Sequence, residues 1–485
     1  MNQAIRSSWM AAVAMFALIF GAISYVQVIG ADDLNANPWN QRAVLASFCN
    51  ERGSIIVAGK PVVESVPGTE SCAFQRKYNQ PELYAGITGY FSKFFGSSGL
   101  EQSMGETLAG NSDQLFLDRM SQMFLGKEPK GASVELTLDP SLQQLAMDLI
   151  PEGQRGSIVV TNPKTGAILA MASKPTYDPN LIATHDKTTA DANYAQLLEI
   201  PGINLNQSVS GPTGNLLSPG SVFKLIDTAA ALNSGKYNKD SELPNPSSLP
   251  LPGSSASLPN YAGGNCNVRE TASFAFALEQ SCNTPFASIA LDLGQDAIRE
   301  QAQKFGFGQD FGDQLKLQQA TSLFPEDLDQ AQLAQSSVGQ RDVKATPLQI
   351  NLMTAAIANG GVQMKPNLVE AIRAPDLRVI NEPKPEALRT STTQPIASQI
   401  TEWMTSAVDN GIARGAAVPG VKVAGKTGTA ELGDSGLNNS WFTGFAPAND
   451  PQVAVTIVME SVDVQTGAQL TSPNAKKIFE AVLNK

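Results

Sequence analysis

The sequence predicts an α+β domain in which helices pack on an antiparallel sheet, and the placement of its strand-like runs carries that prediction. Two runs, 157–160 and 167–171, come early and are joined by a short turn. Three more, 421–424, 441–446 and 453–459, come late, and helical stretches lie between and after them. The two ends of this domain are therefore expected to share one sheet.

Length, composition and charge limit the other possibilities. The chain has 485 residues, of which 42% are apolar, so two or more globular units with sizeable cores are expected. The net charge of −11 argues against a nucleic-acid partner, which would call for a basic face. It excludes no small anionic substrate, because a local lysine can outweigh a diffuse negative field.

Residues 9–30 contain no charged side chain and are long enough to span a bilayer. Arg6 precedes this run and two aspartates follow it, so residues 1–8 are predicted to be a cytoplasmic tail and the rest of the chain to lie outside the cell. A cleaved signal peptide is the alternative. An uncleaved anchor is favoured, because the run is long for a signal peptide and residues 29–31 make a poor cleavage site.

The next part of the chain, 31–131, is mixed in character and carries no chemical motif. Within it, 52–63 reads as two short strands around an Ala-Gly turn, and 86–101 is rich in glycine and aromatic residues, which suits packing. A cluster of helix and strand breakers at 128–131 sets the predicted domain boundary. The second predicted domain is therefore 132–485.

The second domain opens with two recognisable elements. Residues 134–138 alternate as a strand, and Asp139 followed by Pro140 predicts a capped helix start. The hairpin of 157–171 comes next.

The most informative stretch is 218–232, which opens with Pro-Gly and continues as a predicted helix that stops near Gly235. Ser221 lies in the first turn and Lys224 one turn later, so hydroxyl and amine share one face. This arrangement predicts a nucleophile with a base beside it. The alternative is an ordinary amphipathic helix in which Lys224 pairs with Asp227, and this stretch alone does not decide between the two.

Serine nucleophiles usually rely on a histidine. The chain has one, His185, in a polar stretch, and a Ser-His-Asp triad built on it is disfavoured. A lysine can act instead if its surroundings favour the neutral amine.

Two triplets downstream favour a catalytic role for Ser221 and Lys224 over an ordinary amphipathic helix. Ser221 is the only serine with a lysine three residues on, and it is followed by Ser281-Cys282-Asn283 and then by Lys426-Thr427-Gly428. Ser-x-x-Lys, Ser-x-Asn and Lys-Thr-Gly in that order are typical of the penicillin-recognising acyl-serine enzymes, which this sequence resembles.

Two similar triplets are interpreted as structural. Lys164-Thr165-Gly166 lies between two strand-like runs and reads as a hairpin turn. Ser472-Pro473-Asn474 lies beyond the Lys-Thr-Gly triplet and before a helical pattern, so helix capping explains it better.

The resemblance extends over nearly the whole chain outside the anchor. The Arg-Gly, Gly-Tyr and Gly-Leu-Glu segments after the anchor resemble the pedestal of class B penicillin-binding proteins, and residues 336–340 with 346–349 resemble the helical region of transpeptidases. It is closest to the elongation-type class B transpeptidases of actinobacteria, the penicillin-binding protein A family. This implies a transpeptidase domain at 132–485, with a five-stranded antiparallel sheet flanked by helices and an all-helical lobe, a non-catalytic pedestal at 31–131 and a single membrane anchor.

The resemblance also implies roles for the first two motifs. Ser221 would attack a carbonyl and form an acyl-enzyme, and Lys224 would take its proton. Ser281 would relay a proton towards the leaving amine. Asn283 would hold a substrate amide and the Lys224 amine.

The third motif would bind the substrate. Lys426 would place a fixed positive charge near the substrate carboxylate, and Thr427 and Thr429 would donate hydroxyl hydrogen bonds. Gly428 would let the substrate lie along the strand edge as an added strand. The oxyanion hole would be formed by the N–H groups of Ser221 and Thr429.

The function so implied is a D,D-transpeptidase that cross-links peptidoglycan stem peptides without metal or cofactor and is acylated by β-lactams at Ser221. Wall-synthesis membrane proteins are expected partners. A D,D-carboxypeptidase stays open, because the acceptor site has no motif. A β-lactamase is disfavoured, since no deacylating glutamate can be assigned. A β-lactam sensor or an inactive scaffold is a further alternative, although all motif residues are present.

The four cysteines are Cys49, Cys72, Cys266 and Cys282. Outside the cell disulfides persist, and four cysteines allow three pairings. We hypothesise a Cys266–Cys282 bridge, which would pin the wall that holds Ser281 and Asn283. The alternative is a buried free thiol at Cys282.

Overall fold

The structure is a computed structural model that describes residues 3–31, 34, 51–68, 74–112, 115, 130–203, 205, 216–260 and 265–484. Cys49 and Cys72 lie outside the described residues. The strands are β1 (Ile55–Val57), β2 (Lys60–Pro67), β3 (Phe74–Tyr78), β4 (Phe91–Ser92), β5 (Gly96–Ser97), β6 (Ser133–Leu136), β7 (Gly156–Thr161), β8 (Ile168–Lys174), β9 (Glu242–Pro244), β10 (Ser248–Pro250), β11 (Ser257–Pro259), β12 (Thr271–Ser273), β13 (Val362–Met364), β14 (Val369–Arg373), β15 (Val379–Asn381), β16 (Ala387–Thr390), β17 (Ala424–Glu431), β18 (Asn438–Ala446) and β19 (Val453–Val462).

The α-helices of the described residues are α1 (Gln3–Ser24), α2 (Pro81–Thr88), α3 (Gly99–Ser103), α4 (Gly105–Leu108), α5 (Pro140–Asp148), α6 (Asn180–Ala183), α7 (Lys187–Leu198), α8 (Lys224–Asn233), α9 (Phe274–Glu279), α10 (Thr284–Leu293), α11 (Gln295–Lys304), α12 (Gly312–Leu315), α13 (Gln330–Ser337), α14 (Pro347–Ala358), α15 (Gln394–Asp409), α16 (Val464–Leu470) and α17 (Ser472–Leu483). A π-helical turn, Tyr25–Ile29, continues α1, and 3₁₀ turns cover Gly220–Phe223, Cys266–Val268, Arg414–Ala416 and Gly433–Ser435.

The central sheet has five antiparallel strands in the order β17-β18-β19-β7-β8. Early and late parts of the chain therefore meet in one sheet, and the predicted fold class is confirmed. One predicted strand has the wrong bounds. Residues 418–421 form a tight turn through Gly420, and the strand begins only at Ala424, so the Lys-Thr-Gly triplet lies on β17 itself.

Helices cover both faces of this sheet because its strands alternate two apolar sets of side chains. Phe442, Val455 and Ile457 face one core with α5 and α17, whereas Trp441, Ala454 and Val458 face the other with the helical lobe and α14. The predicted cap of α5 is confirmed, since the Asp139 carboxylate accepts hydrogen bonds from two backbone N–H groups of its first turn.

The two triplets interpreted as structural lie at a turn and at a helix start. Lys164-Thr165-Gly166 lies in the turn between β7 and β8, as predicted. The Ser472 triplet opens α17, but the predicted cap is wrong, because Ser472 is the first helical residue and no side chain caps this helix. Asn474 instead donates to the carbonyl oxygens of Leu149 and Leu470, which ties α17 to the end of α5.

A second sheet joins the N-terminal region to the rest of the chain. Its order is β15-β14-β6-β1-β2-β3, and β1 and β2 are connected through the predicted Ala58-Gly59 turn, with positive φ at both residues. β6 pairs in parallel with β1 and antiparallel with β14. The boundary at residue 131 therefore falls inside one continuous sheet, and the division into 31–131 and 132–485 stays a prediction.

α1 and its π-helical extension make one apolar helix, and residues 5–29 of it are long and apolar enough to cross a membrane. None of its most apolar window is buried against the rest of the protein. The helix overlaps the anchor predicted at 9–30 and is consistent with that role.

Candidate active site

Ser221 and Lys224 are brought together by a change of helix type. The chain enters the lobe as a 3₁₀ turn, Gly220–Phe223, and becomes α-helical only at Lys224. In a 3₁₀ turn residues three apart nearly eclipse each other, so the two side chains lie on one line. Ser221 Oγ is 3.0 Å from Lys224 Nζ.

This nucleophile turn is wedged between β17 and the loop after α13. Gly220 has a φ of +55°, and a Cβ there would lie 2.6 Å from the Thr429 carbonyl oxygen. Gly339 has a φ of +74°, and its Cβ would lie 2.0 Å from the Gly220 carbonyl oxygen. Side chains larger than glycine are therefore excluded on both sides of the turn.

Lys224 is fully buried and its amine has three neighbours. Nζ lies 3.0 Å from Ser221 Oγ, 2.8 Å from the Ser281 carbonyl oxygen and 2.7 Å from Asn283 Oδ1. Burial lowers the pKa of Lys224 well below its ordinary value, and the charge of Lys426 lowers it further, while Asp227 opposes both. A neutral amine uses its two N–H groups on the two carbonyl oxygens, and its lone pair is then free to accept the Ser221 proton.

The alternative interpretation of this helix, in which Lys224 pairs with Asp227, is not what the structure shows. Asp227 is fully buried, and among the described residues neither of its carboxyl oxygens has a hydrogen-bond or ion-pair partner. Within the same residues, Ser221 Oγ hydrogen-bonds to Lys224 and to no histidine.

Ser281-Cys282-Asn283 forms the facing wall, between α9 and α10. Asn283 precedes α10 but does not cap it with its side chain. Its amide accepts from Lys224 and donates to the Pro259 carbonyl oxygen at 2.9 Å. A disulfide joins Cys282 to Cys266, so this wall is tied covalently to the preceding loop.

Lys426 lies on β17 and is 1% exposed. Its amine donates to Ser281 Oγ at 2.6 Å and to the Thr427 carbonyl oxygen at 2.9 Å. Burial lowers the pKa of Lys426 to about 7, so its charge depends on pH near neutrality and is less permanent than expected for a fixed cation. The two lysines and Ser281 thus form one connected polar cluster.

The rest of the third motif lies along β17, which is an edge of the central sheet. Thr427 and Thr429 are half-buried. Gly428 packs against the nucleophile turn, because a Cβ there would lie 2.8 Å from the Pro219 carbonyl oxygen. This packing is a reason for glycine that the sequence does not reveal.

Three further residues support the turn and were not assigned roles from the sequence. Trp441 Nε1 donates to the Ser218 carbonyl oxygen at 3.1 Å, and Gln340 Nε2 donates to the Thr429 carbonyl oxygen at 3.4 Å. Gly339 is the third. The sequence offers one signal for two of them: Gly339 and Gln340 belong to segment 336–340, which resembles the helical region of transpeptidases. That resemblance assigns neither residue a function.

Family comparison agrees with this geometry. Residues 156–484 match the family described as penicillin binding protein transpeptidase domain, and residues 52–134 match the penicillin binding protein A dimerisation domain. The chain belongs to the penicillin-binding protein transpeptidase family. The resemblance seen in its motifs is thereby confirmed.

Individual relatives of this penicillin-binding protein are similar over their full length. The chain is 37% identical over 496 residues to the peptidoglycan D,D-transpeptidase PbpA of Mycolicibacterium smegmatis, with all of both chains covered. It is 36% identical over 493 residues to the protein of the same name from Mycobacterium tuberculosis strain H37Rv, covering 100% of this chain and 99% of the relative.

Solved structures give the same result. The imipenem acyl-enzyme complex of penicillin-binding protein A from M. tuberculosis superposes with a TM-score of 0.83 at 36% identity, covering 90% of this chain and 100% of the other. Its penicillin G acyl-enzyme complex gives a TM-score of 0.82 at 35% identity with the same coverage.

Among the described residues of this chain, no group of three or more acidic, histidine or cysteine side chains could hold a metal ion.

Proposed function

We propose that this penicillin-binding protein is a membrane-anchored peptidoglycan D,D-transpeptidase that works through an acyl-enzyme on Ser221. The observation that carries the proposal is the 3.0 Å contact between Ser221 Oγ and the buried amine of Lys224. Acyl transfer requires a nucleophile and a base within hydrogen-bond distance, and burial favours the neutral amine by lowering the pKa of Lys224 well below its ordinary value.

Acylation uses the three motifs together. Ser221 Oγ forms a bond to the carbonyl carbon of the penultimate D-alanine, and its proton passes to Lys224. The C–N bond then breaks, and the departing D-alanine amine takes up a proton by way of the Ser281 hydroxyl. This hydroxyl accepts a hydrogen bond from Lys426, and the Ser281 carbonyl oxygen accepts one from Lys224. The Ser221 N–H, near the start of the 3₁₀ turn, would favour the developing oxyanion.

Substrate recognition belongs to β17. A stem peptide would add to the free edge of this strand, with its carboxylate near Lys426 and the hydroxyls of Thr427 and Thr429. The Thr429 N–H, together with that of Ser221, would form the oxyanion hole. The close approach of Gly220 to Thr429 supports this, because Ser221 is the residue after Gly220 and is therefore also held near Thr429.

The second half-reaction moves the acyl group to a second stem peptide. The acceptor amine attacks the ester carbon and loses a proton to Lys224, the bond to Ser221 Oγ breaks, and the serine oxygen takes that proton back. We infer that α1 anchors the protein with its N-terminus in the cytoplasm, which places this chemistry outside the cell, where membrane proteins of wall synthesis are partners.

The test uses labelled penicillin on the purified full-length protein. We expect one adduct per chain, mapped to Ser221, and none in a folded Ser221→Ala variant. Lys224→Arg should slow acylation by about 10²-fold or more, because a guanidinium does not act as a base. Labelling that persists in Ser221→Ala, or maps to another residue, contradicts the assignment.

Turnover distinguishes the transpeptidase from the carboxypeptidase. With a D-Ala-D-Ala peptide and an acceptor amine together, we expect the cross-linked dimer to be the main product. Hydrolysis that is unaffected by the acceptor would favour the carboxypeptidase.

A further inference from the structure

Asp227 is a buried acid that the chemistry described above does not use. It lies on α8 one turn after Lys224 and has no solvent exposure. Among the described residues, neither of its carboxyl oxygens has a hydrogen-bond partner. Buried polar groups nearly always have partners, so an unpaired carboxyl beside the base calls for an explanation.

On the described helices that pack against α8, no other acid or base competes for this carboxyl. The helices α10, α11 and α15 pack against α8, and their charged residues lie on exposed or partly exposed faces. These residues are Asp292, Asp296, Arg299, Glu300, Lys304, Glu402 and Asp409. Burial raises the pKa of Asp227, and Lys224 is the one titratable group that lowers it. Burial and then Lys426 lower the pKa of Lys224, and Asp227 is the one titratable group that raises it.

The base needs an opposing charge. When Lys224 accepts the Ser221 proton it becomes an ammonium in an apolar interior, and both burial and the nearby Lys426 disfavour that cation. Of the groups that act on Lys224, Asp227 alone can become negative. Burial raises the pKa of Asp227 and the charge of Lys224 lowers it, so the charge of each side chain favours the charge of the other.

We propose that Asp227 is a positioning residue that acts through Lys224, making this lysine a stronger base than its burial beside Lys426 would otherwise allow. Ser221, Lys224 and Asp227 then form a nucleophile, base and carboxyl series at three-residue spacing along the 3₁₀ turn and the helix α8 that continues it. This inference rests on the proposed role of Lys224 as the proton acceptor.

The test is the pH dependence of acylation in Asp227→Asn, which keeps the shape of the side chain and removes its charge. The second-order rate of acylation by a chromogenic penicillin is measured between pH 4 and pH 10 on the full-length protein. The acidic limb of the pH–rate profile should move to lower pH by about one unit. Removing the negative charge of Asp227 lowers the pKa of Lys224, and an opposing charge typically shifts a pKa by that much or more. The plateau should fall by about threefold, because a weaker base accepts the proton less readily.

A matched control comes from the next residue. Thr228 is also fully buried and donates to the Lys224 carbonyl oxygen at 2.7 Å. Thr228→Val removes this hydrogen bond without changing any charge, so its pH profile should keep the position of the wild-type limb. If Asp227→Asn is poorly folded, Asp227→Thr gives the same comparison with a smaller uncharged side chain.

Two results overturn the inference: an acidic limb that does not move, whether or not the plateau falls, or a limb that moves to higher pH. Each would assign Asp227 a packing role alone. Failure of the proposed function is separable, because Lys224→Arg would then acylate like the wild type. A loss in Lys224→Arg with an unmoved limb in Asp227→Asn rejects only the role of Asp227.

Discussion

Burial has different consequences for the two site lysines. Lys224 has to be neutral to accept a proton, and its low pKa serves that need. Lys426 is expected to meet a carboxylate, for which the charged form is useful, yet its pKa of about 7 leaves it only partly charged at neutral pH. A bound carboxylate would favour the charged form, so substrate binding and proton uptake at Lys426 are linked.

This linkage predicts a pH effect on donor affinity. Lys426 is charged below pH about 7 and loses its charge above it, so the KM of a donor peptide with a free carboxylate should rise as pH passes through about 7. A matched donor whose carboxylate is amidated should show no such rise. Lys426→Arg should bind the free-carboxylate donor with a KM independent of pH in this range, because a guanidinium stays charged. A rise that persists in Lys426→Arg would assign the effect to another group.

At this scale the sequence predicts what is local. That Ser221 and Lys224 share one face follows from their spacing of three residues in a helical turn. The contact of Lys426 with Ser281 joins positions 145 residues apart, and its burial depends on how β17 packs against the lobe. The charge state of Lys426 therefore could not be predicted from the motif.

The nucleophile turn shows how elements position the site. Its 3₁₀ geometry holds Ser221 over Lys224, and the contacts of Gly220 with Thr429 and Gly339 press the turn between β17 and the loop after α13. The sequence marks these glycines but not their partners, because each contact joins distant segments of chain. The start of β17 at Ala424 differs from the predicted one for a local reason, because residues 418–421 form a turn through Gly420 and not a strand.

Gly339→Ala tests this clamp. The added Cβ would meet the Gly220 carbonyl oxygen at 2.0 Å, and the φ of +74° disfavours alanine as well. We expect acylation by penicillin to fall by about tenfold or more while circular dichroism is nearly unchanged. Gly105→Ala is the matched control, since it has open space around the new Cβ and an ordinary φ. Equal acylation rates in the two variants would show that the turn is not held by this contact.

The disulfide acts on the opposite wall. It closes a loop between positions separated by 16 residues, which could contribute about 3 kcal/mol through chain entropy. Because Cys282 stands between Ser281 and Asn283, we expect reduction, or Cys266→Ala with Cys282→Ala, to slow acylation more than it lowers helical content. Ser221→Ala measured in parallel fixes the background rate. A loss of helical content that precedes the loss of acylation would mean that the bridge supports the core and not the wall.

At the scale of the whole molecule, the N-terminal region and the catalytic region share a sheet. β6 and the β14–β15 hairpin lie next to β1–β3, although β7 to β13 intervene along the chain between β6 and β14. The breaker cluster at 128–131 precedes β6, so the sequence predicts that β6 belongs to the catalytic domain. A parallel pairing across that cluster leaves no local signal, which is why the continuity of the sheet was not predicted.

A buried ion cluster fastens the N-terminal half of this sheet. Glu101 is paired with Arg52 at 2.8 Å and with Arg76 at 2.7 Å, and all three side chains are almost fully buried. Burial alone would raise the pKa of Glu101, but the two arginines lower it below its ordinary value. The carboxylate therefore stabilises the fold above its unfolded pKa, and this contribution is lost as pH falls through the lower folded value.

The last prediction is that Glu101→Gln destabilises the whole protein and not the N-terminal region alone. Removing the acid leaves two buried arginines without a counter-charge, which typically costs about 3–5 kcal/mol. Because the shared sheet couples the two regions, thermal unfolding should stay a single transition at lower temperature, and loss of penicillin binding on heating should follow the same curve. Glu106→Gln, at an exposed position five residues away, should leave the midpoint unchanged. An early transition in Glu101→Gln that leaves penicillin binding intact would show that the N-terminal region unfolds on its own.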